Sequence, residues 1–195
     1  MTQVPVDTAE LSALATHFRV DRLTVLNQGG WGNGDVFLGE RGDQKVVIKT
    51  YRRKPRLMRW IGRYLLSREG RAYRVLAGIE GVPELLSCPD RSSLALQYVP
   101  GEKINNKALA EHGHQILSSL RALVETMHSR GVYHMDLRNQ GNILVDRSHR
   151  ATILDFASAV IIRRRGRLSR AIARLCRRFD LYGLSKWEAR CRVSA

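Results

Sequence analysis

A glycine-rich stretch, NQGGWGNGDV, sets Gly30, Gly32 and Gly34 just ahead of Val36. Lys49 follows in VVIK, then Glu69, Asp136, Arg138, Asn142 and Asp155. Glycines let a backbone approach a dense negative group that side chains would hold away. Lys49 supplies a point charge, and Glu69 can pair with it and keep it extended. Asp136 can take a proton from an attacking hydroxyl, while Asn142 and Asp155 offer oxygens suited to a hard cation. Arg138 can neutralise a phosphoryl group in flight. These are the parts a nucleotide triphosphate calls for: backbone N–H groups, a cation, and carboxylates to hold magnesium.

The elements that must carry these side chains are legible from periodicity. LTVLNQGGWGNGDVFL predicts a hairpin about the glycine-rich turn, and KVVIKTY a third strand bearing Lys49. Leu57, Trp60, Ile61, Tyr64 and Leu65 recur at helical spacing, so a helix with an apolar stripe is expected there. It continues through SREGRAYRVLAGIEGVP, carrying Glu69, and stops between Gly78 and Pro83. Strands are expected at VPELLS and SLALQYV, and Pro100-Gly101 marks a boundary between an N-terminal lobe, 1–99, and a C-terminal lobe, 100–195, of one domain. Ile116, Leu117, Leu120, Leu123, Val124 and Met127 predict a long helix ending at Gly131. Loops and short strands then hold Asp136, Asn142 and Asp155. From Arg163 on, Leu168, Ile172, Leu175, Cys176 and Phe179 predict a basic amphipathic helix.

In that order the motifs GGWGNGDV, VVIK, LQYVPGE, HMDLRNQGN and DFA resemble the protein-kinase-like superfamily over residues 23 to 160. The resemblance implies an α+β, two-lobed fold with an antiparallel N-terminal sheet plus helix and a short, mainly helical C-terminal lobe. It implies ATP and Mg2+ as cofactors and transfer of the γ-phosphoryl group to a hydroxyl acceptor. Lys49 would grip the α- and β-phosphates with Glu69 as its anchor, and Asp136 would be the catalytic base. Asn142 and Asp155 would bind magnesium, and backbone groups from Gln97 to Val99 would hold the adenine. All of these groups are expected to converge on one triphosphate.

The sequence also departs from the family. The glycines stand one residue tighter than GxGxxGxV, with Trp31 among them, and the Asp136 to Asn142 interval is one residue longer than usual. Met135 replaces the arginine that receives a phosphorylated activation loop, and Ala157 replaces the glycine of DFG, which argues against regulation by loop phosphorylation. Forty residues follow Asp155, without an APE motif. This pattern is similar to minimal bacterial kinases, the lipopolysaccharide (Kdo-type) and RIO-type enzymes. The acceptor is left open among a lipopolysaccharide sugar, a lipid and a protein serine or threonine. The alternative is a pseudokinase that serves as a nucleotide-binding or membrane-docking scaffold.

The 195 residues hold 44% hydrophobic and 26% charged side chains, the balance of a globular chain rather than a disordered one. Net charge is +15, and its distribution is local. Residues 52–68 carry seven basic residues and 163–178 carry eight, with no acid in either, leaving 18 basic residues against 18 acidic ones elsewhere. Two such runs on amphipathic helices point to an anionic membrane surface, and sparse aromatics count against nucleic acid. Three cysteines without CxxC spacing support neither a disulfide framework nor a zinc site. No cationic start precedes an apolar core, and no apolar run reaches membrane-spanning length. A cytoplasmic protein, peripheral on the inner face of the membrane, is expected.

Overall fold

The β-branched runs beside the glycine-rich turn form antiparallel strands β1 (Arg22–Asn27) and β2 (Asp35–Arg41), and β3 (Gln44–Thr50) pairs along the far edge of β2. With β4 (Leu85–Asp90) and β5 (Ser93–Gln97) they make a five-stranded sheet in the order β1-β2-β3-β5-β4. In this computed structural model residues 7–30, 33–163 and 166–194 are described. They divide into two compact units. The sheet belongs to the first, which takes in the chain up to Gly70 together with Glu84–Tyr98. The second comprises Arg71–Pro83 and the chain from Val99 onward.

Side chains alternate across β3, so one face of the first unit's sheet meets one helix and the opposite face another. Ile48 joins Phe37 and Leu23 against Leu14 and Phe18 of helix α1 (Thr8–Phe18). Sequence periodicity did not anticipate this helix, although Asp7, whose carboxylate accepts the Ala9 N–H, is an N-cap with Glu10 three residues on. Lys49 and Tyr51 point the other way, toward helix α2 (Arg56–Val75), where Tyr51 packs with Leu65, Leu66 and Leu94.

The expected apolar stripe of α2 does not seat on this core. Leu57, Trp60, Ile61 and Tyr64 are exposed, whereas Met58, Leu66 and Glu69 are buried. Tyr51 decides which face turns inward. A Cβ at Gly62 would stand 2.2 Å from the Tyr51 ring, and one at Gly34 would stand 2.9 Å from it. The ring therefore wedges between the end of the glycine-rich turn and α2, and only glycines admit it.

The second unit is mainly helical. Its elements are β6 (Glu102–Lys103), α3 (Asn106–Ser129), β7 (Val132–Tyr133), β8 (Ile143–Val145), β9 (Ala151–Ile153), β10 (Val160–Ile161) and α4 (Arg167–Ser194). Asn105 caps α3 by accepting the Ala108 N–H at 2.9 Å. Ile116, Leu120, Val124 and Met127 of α3 are fully buried, and α3 packs on α4. Strands β6-β8-β9 form one small sheet and β7 pairs with β10. The anticipated second basic helix starts at Arg167 and runs to Ser194. Its apolar residues split between two faces: Cys176 is buried beside Ala173, while Leu168, Ile172, Leu175 and Phe179 are exposed. No helix among the described residues is long and apolar enough to cross a membrane.

Candidate functional site

In the first unit Lys49 donates to Glu69 at 2.9 Å, with 13% and 1% of the two side chains exposed. The pair forms because β3 turns Lys49 toward the buried face of α2. Val36 lies directly across the ladder from Lys49, so the two share a sheet face. Gly30 is exposed, and a Cβ built on it meets no atom of the non-adjacent described residues within 4 Å. Packing thus explains Gly34, whereas it does not require a glycine at position 30 among the described residues. Trp31 and Gly32 lie outside the described residues. At the far end of the sheet Gln97 commits its backbone N–H to the Glu84 carbonyl at 2.9 Å. Its side-chain oxygen accepts from Glu84 N at 3.4 Å.

The basic run that follows Lys49 is less bare than its local sequence implies. Asp35, 1% exposed, accepts from Gly29 N at 3.1 Å, Lys54 Nζ at 3.0 Å and Arg53 Nη1 at 3.3 Å. Lys54 also donates to the Gly29 carbonyl at 2.5 Å, Arg53 pairs with Glu10 at 2.7 Å, and Arg52 with Asp90 at 3.2 Å. At least three of the seven cations, Arg52, Arg53 and Lys54, therefore hold acids that are remote in sequence, and two of them fasten the entry to the glycine-rich turn. Spacing along the chain could not reveal Asp35, since its partners lie 6, 18 and 19 residues away.

In the second unit Asn142 donates through Nδ2 to both the backbone carbonyl and the carboxylate of Asp136, each at 3.0 Å. Asn139 Nδ2 reaches the same carboxylate at 3.4 Å. Asn142, which is buried, holds Asp136 more closely than the exposed Asn139 does, and its Oδ1 is left as the oxygen a cation could use. Ile143 pairs with Ile153 across the β8–β9 hairpin, and the Leu154 N–H meets the Asn142 carbonyl at 2.8 Å. That register sets Asp155 next to Asn142. Asp155 adopts φ 58 and accepts the Ala157 N–H at 3.4 Å, and its own N–H reaches the Tyr73 hydroxyl at 3.3 Å.

Arg138 departs from this group. Its guanidinium lies 5.5 Å from the Phe179 ring centre. No hydrogen bond or ion pair joins it to Asp136 or Asn142 among the described residues. With Asn106, Lys186, Ala189, Arg190 and Val193 it lines an open cleft of about 450 Å³.

Three further residues hold the loop around Asp136. Asp180, 1% exposed, accepts the N–H groups of His134 and Met135 at 2.9 and 2.8 Å, and meets His128 Nε2 at 2.9 Å. Trp187 donates its indole N–H to the Leu137 carbonyl at 2.7 Å. Seven residues apart on α4, Asp180 and Trp187 share a face and seize successive parts of one loop. His134, fully buried, donates from Nε2 to the Leu154 carbonyl at 2.9 Å and accepts the Asp136 N–H on Nδ1 at 3.3 Å. That is the neutral imidazole, and burial holds its pKa below the ordinary value of 6.5. Phe156 stacks edge-on against His134 and Tyr73, at 4.9 and 5.0 Å between ring centres.

None of the protein-family models matches the chain. Among curated proteins, the CBL-interacting protein kinase 16 of Oryza sativa subsp. japonica is 28% identical over 165 residues. The match covers 80% of this chain but 35% of that protein, so the chain spans about a third of the relative's length. Among solved structures, the streptomycin–ATP–APH(2")-IIa ternary complex is similar with a TM-score of 0.58 at 14% identity, over 80% of this chain and 72% of that one. The antiparallel five-stranded sheet, the helical second unit and this structural likeness agree: the chain has a protein-kinase-like fold.

Proposed function

We propose that the chain is an ATP-dependent phosphotransferase acting on a hydroxyl acceptor. The observation that carries this assignment is the double hydrogen bond from Asn142 to Asp136, on a loop anchored by Asp180 and Trp187. It fixes the Asp136 carboxylate in one orientation, which a surface turn does not require. Lys49, kept extended by Glu69, serves the α- and β-phosphates, and the exposed backbone at Gly30 contributes N–H groups to them. The adenine is read by backbone groups near Val99, because Gln97 spends its N–H on Glu84.

The donor set fits magnesium. Asn142 Oδ1 and the Asp155 carboxylate are hard oxygens, and no cluster of three His, Cys, Asp or Glu side chains among the described residues would hold an ion alone. Such a pair suits an ion that completes its shell with water and substrate phosphate. When bound there, Mg2+ would neutralise charge on the phosphate oxygens. Asp136 accepts the proton of the acceptor hydroxyl as its oxygen attacks the γ-phosphorus. The bond to the β,γ-bridging oxygen breaks, and ADP departs.

Arg138, turned toward Lys186 and Arg190, is better placed to receive the acceptor than to neutralise the transferred group. Three cations around one cleft favour an acceptor that itself carries negative charge, as a phosphorylated or acidic sugar does.

Transfer of labelled phosphate from ATP to lipopolysaccharide, lipid extract and protein, assayed in parallel, tests the proposal. Asp136→Ala is expected to abolish transfer while sparing ATP binding, and Asp155→Ala to abolish magnesium-dependent transfer. Equal rates in wild type and both variants would overturn it and favour a nucleotide-binding scaffold without turnover.

A further inference from the structure

Both arginine-dense helices expose the apolar residues that amphipathic helices ordinarily bury. On α4, Leu168 is 75% exposed, Ile172 44%, Leu175 68% and Phe179 40%. At spacings of four, three and four these side chains form one strip along three turns. It lies about 100° around the helix from the face of Ala173, Cys176 and Asp180 that is buried in the second unit. Arg167, Arg170, Arg174, Arg177 and Arg178 occupy the remaining arc, all exposed, and none of the described carboxylates pairs with them. No acid interrupts the helix before Asp180. The first unit repeats the arrangement on α2. Leu57, Trp60 and Tyr64, 65%, 69% and 59% exposed, lie beside a core face that carries Met58 and Leu66. Arg56, Arg59 and Arg63 lie on the third side.

We infer that the α4 strip, with its flanking arginines, docks on an anionic lipid bilayer. All four side chains of the strip are exposed, and none of them lines the open cleft beside Arg138 in which a peptide could seat. A second copy would bring five unpaired arginines against five more, which repels. Nucleic acid would satisfy the arginines but leave four large apolar side chains in water. An anionic leaflet answers both features. Acyl chains receive the strip, headgroup phosphates receive the guanidinium groups, and the arginine stems lie along the boundary. The inference does not depend on the phosphotransfer assignment.

Flotation of the full chain with phosphatidylcholine vesicles, with and without about one third phosphatidylglycerol, tests it. Binding is expected to the anionic vesicles and to be negligible on the neutral ones. Leu168→Ser combined with Leu175→Ser should weaken anionic-vesicle binding at least about tenfold. Arg174→Gln and Arg178→Gln should each weaken it about fivefold. All four side chains are exposed, and an unchanged melting temperature confirms that folding is intact. Equal flotation with neutral vesicles would overturn the inference, as would no flotation at all. So would dependence on the arginines with no effect of the leucines, above all if duplex DNA then bound more tightly than vesicles.

Discussion

Replacing Asp180 tests the link between α4 and the loop of Asp136. The carboxylate accepts two buried backbone N–H groups, from His134 at 2.9 Å and Met135 at 2.8 Å. Hydrogen bonds to an ionised acceptor contribute about 1.5–3 kcal/mol each, and a buried donor left without a partner loses its full desolvation cost. Asp180→Ala should therefore cost about 3–5 kcal/mol, and at about 2–4 °C per kcal/mol for a chain of this size the melting temperature should fall by roughly 6–20 °C. Asp180→Asn keeps one acceptor oxygen and should cost about half as much. In the proposed phosphotransferase, with Asp136 as the base, the effect should extend to turnover. Met135 sits at φ 67, a conformation costly for a non-glycine residue, and the bond to Asp180 holds it there. Once released, Met135 relaxes and carries Asp136 with it, and misplacing a catalytic group by about 1 Å costs about a hundredfold in rate. Thermal unfolding followed by circular dichroism and single-turnover transfer would be measured on the same preparations. If Asp180→Asn melted within a degree of wild type and turned over normally, the loop would have another anchor and the reasoning would be refuted.

Two further predictions concern packing and pH. Gly62→Ala ordinarily stabilises a helix interior by about 1 kcal/mol. Here the new methyl meets the Tyr51 ring 2.2 Å away, so a net loss of about 1–3 kcal/mol is expected, recovered in part by pairing it with Tyr51→Ala. Parallel denaturant melts of the single and double variants decide this. Burial lowers the pKa of His134, so between that lowered value and 6.5 the unfolded chain binds a proton that the native chain does not. Stability tied to His134 should be complete above pH 6.5 and decline by up to about 1.4 kcal/mol per unit as the pH falls through that window. The difference in slope between wild type and His134→Gln isolates it; parallel slopes would show that His134 does not titrate differently on folding.

The elements that carry Lys49, Glu69, Asp136, Asn142 and Asp155 were legible because they depend on short-range rules. Strand alternation, helical periodicity and the glycine-rich turn act within a few residues of one another. The pairing of Lys49 with Glu69 was legible too, since one strand and the next helix define it. Three things required the tertiary structure. One was the pinning of the glycine-rich turn through Asp35, Arg53 and Lys54, where partners distant in sequence convert part of a charge run into internal ion pairs. Another was the grip of Asp180 and Trp187 on the loop of Asp136, from 45 and 50 residues away. The third was which stripe of each basic helix faces the core. Periodicity shows that an apolar face exists but not whether a neighbour covers it. That depends on which other side chains claim the available partner surface, and on α2 the ring of Tyr51 over Gly62 claimed it first.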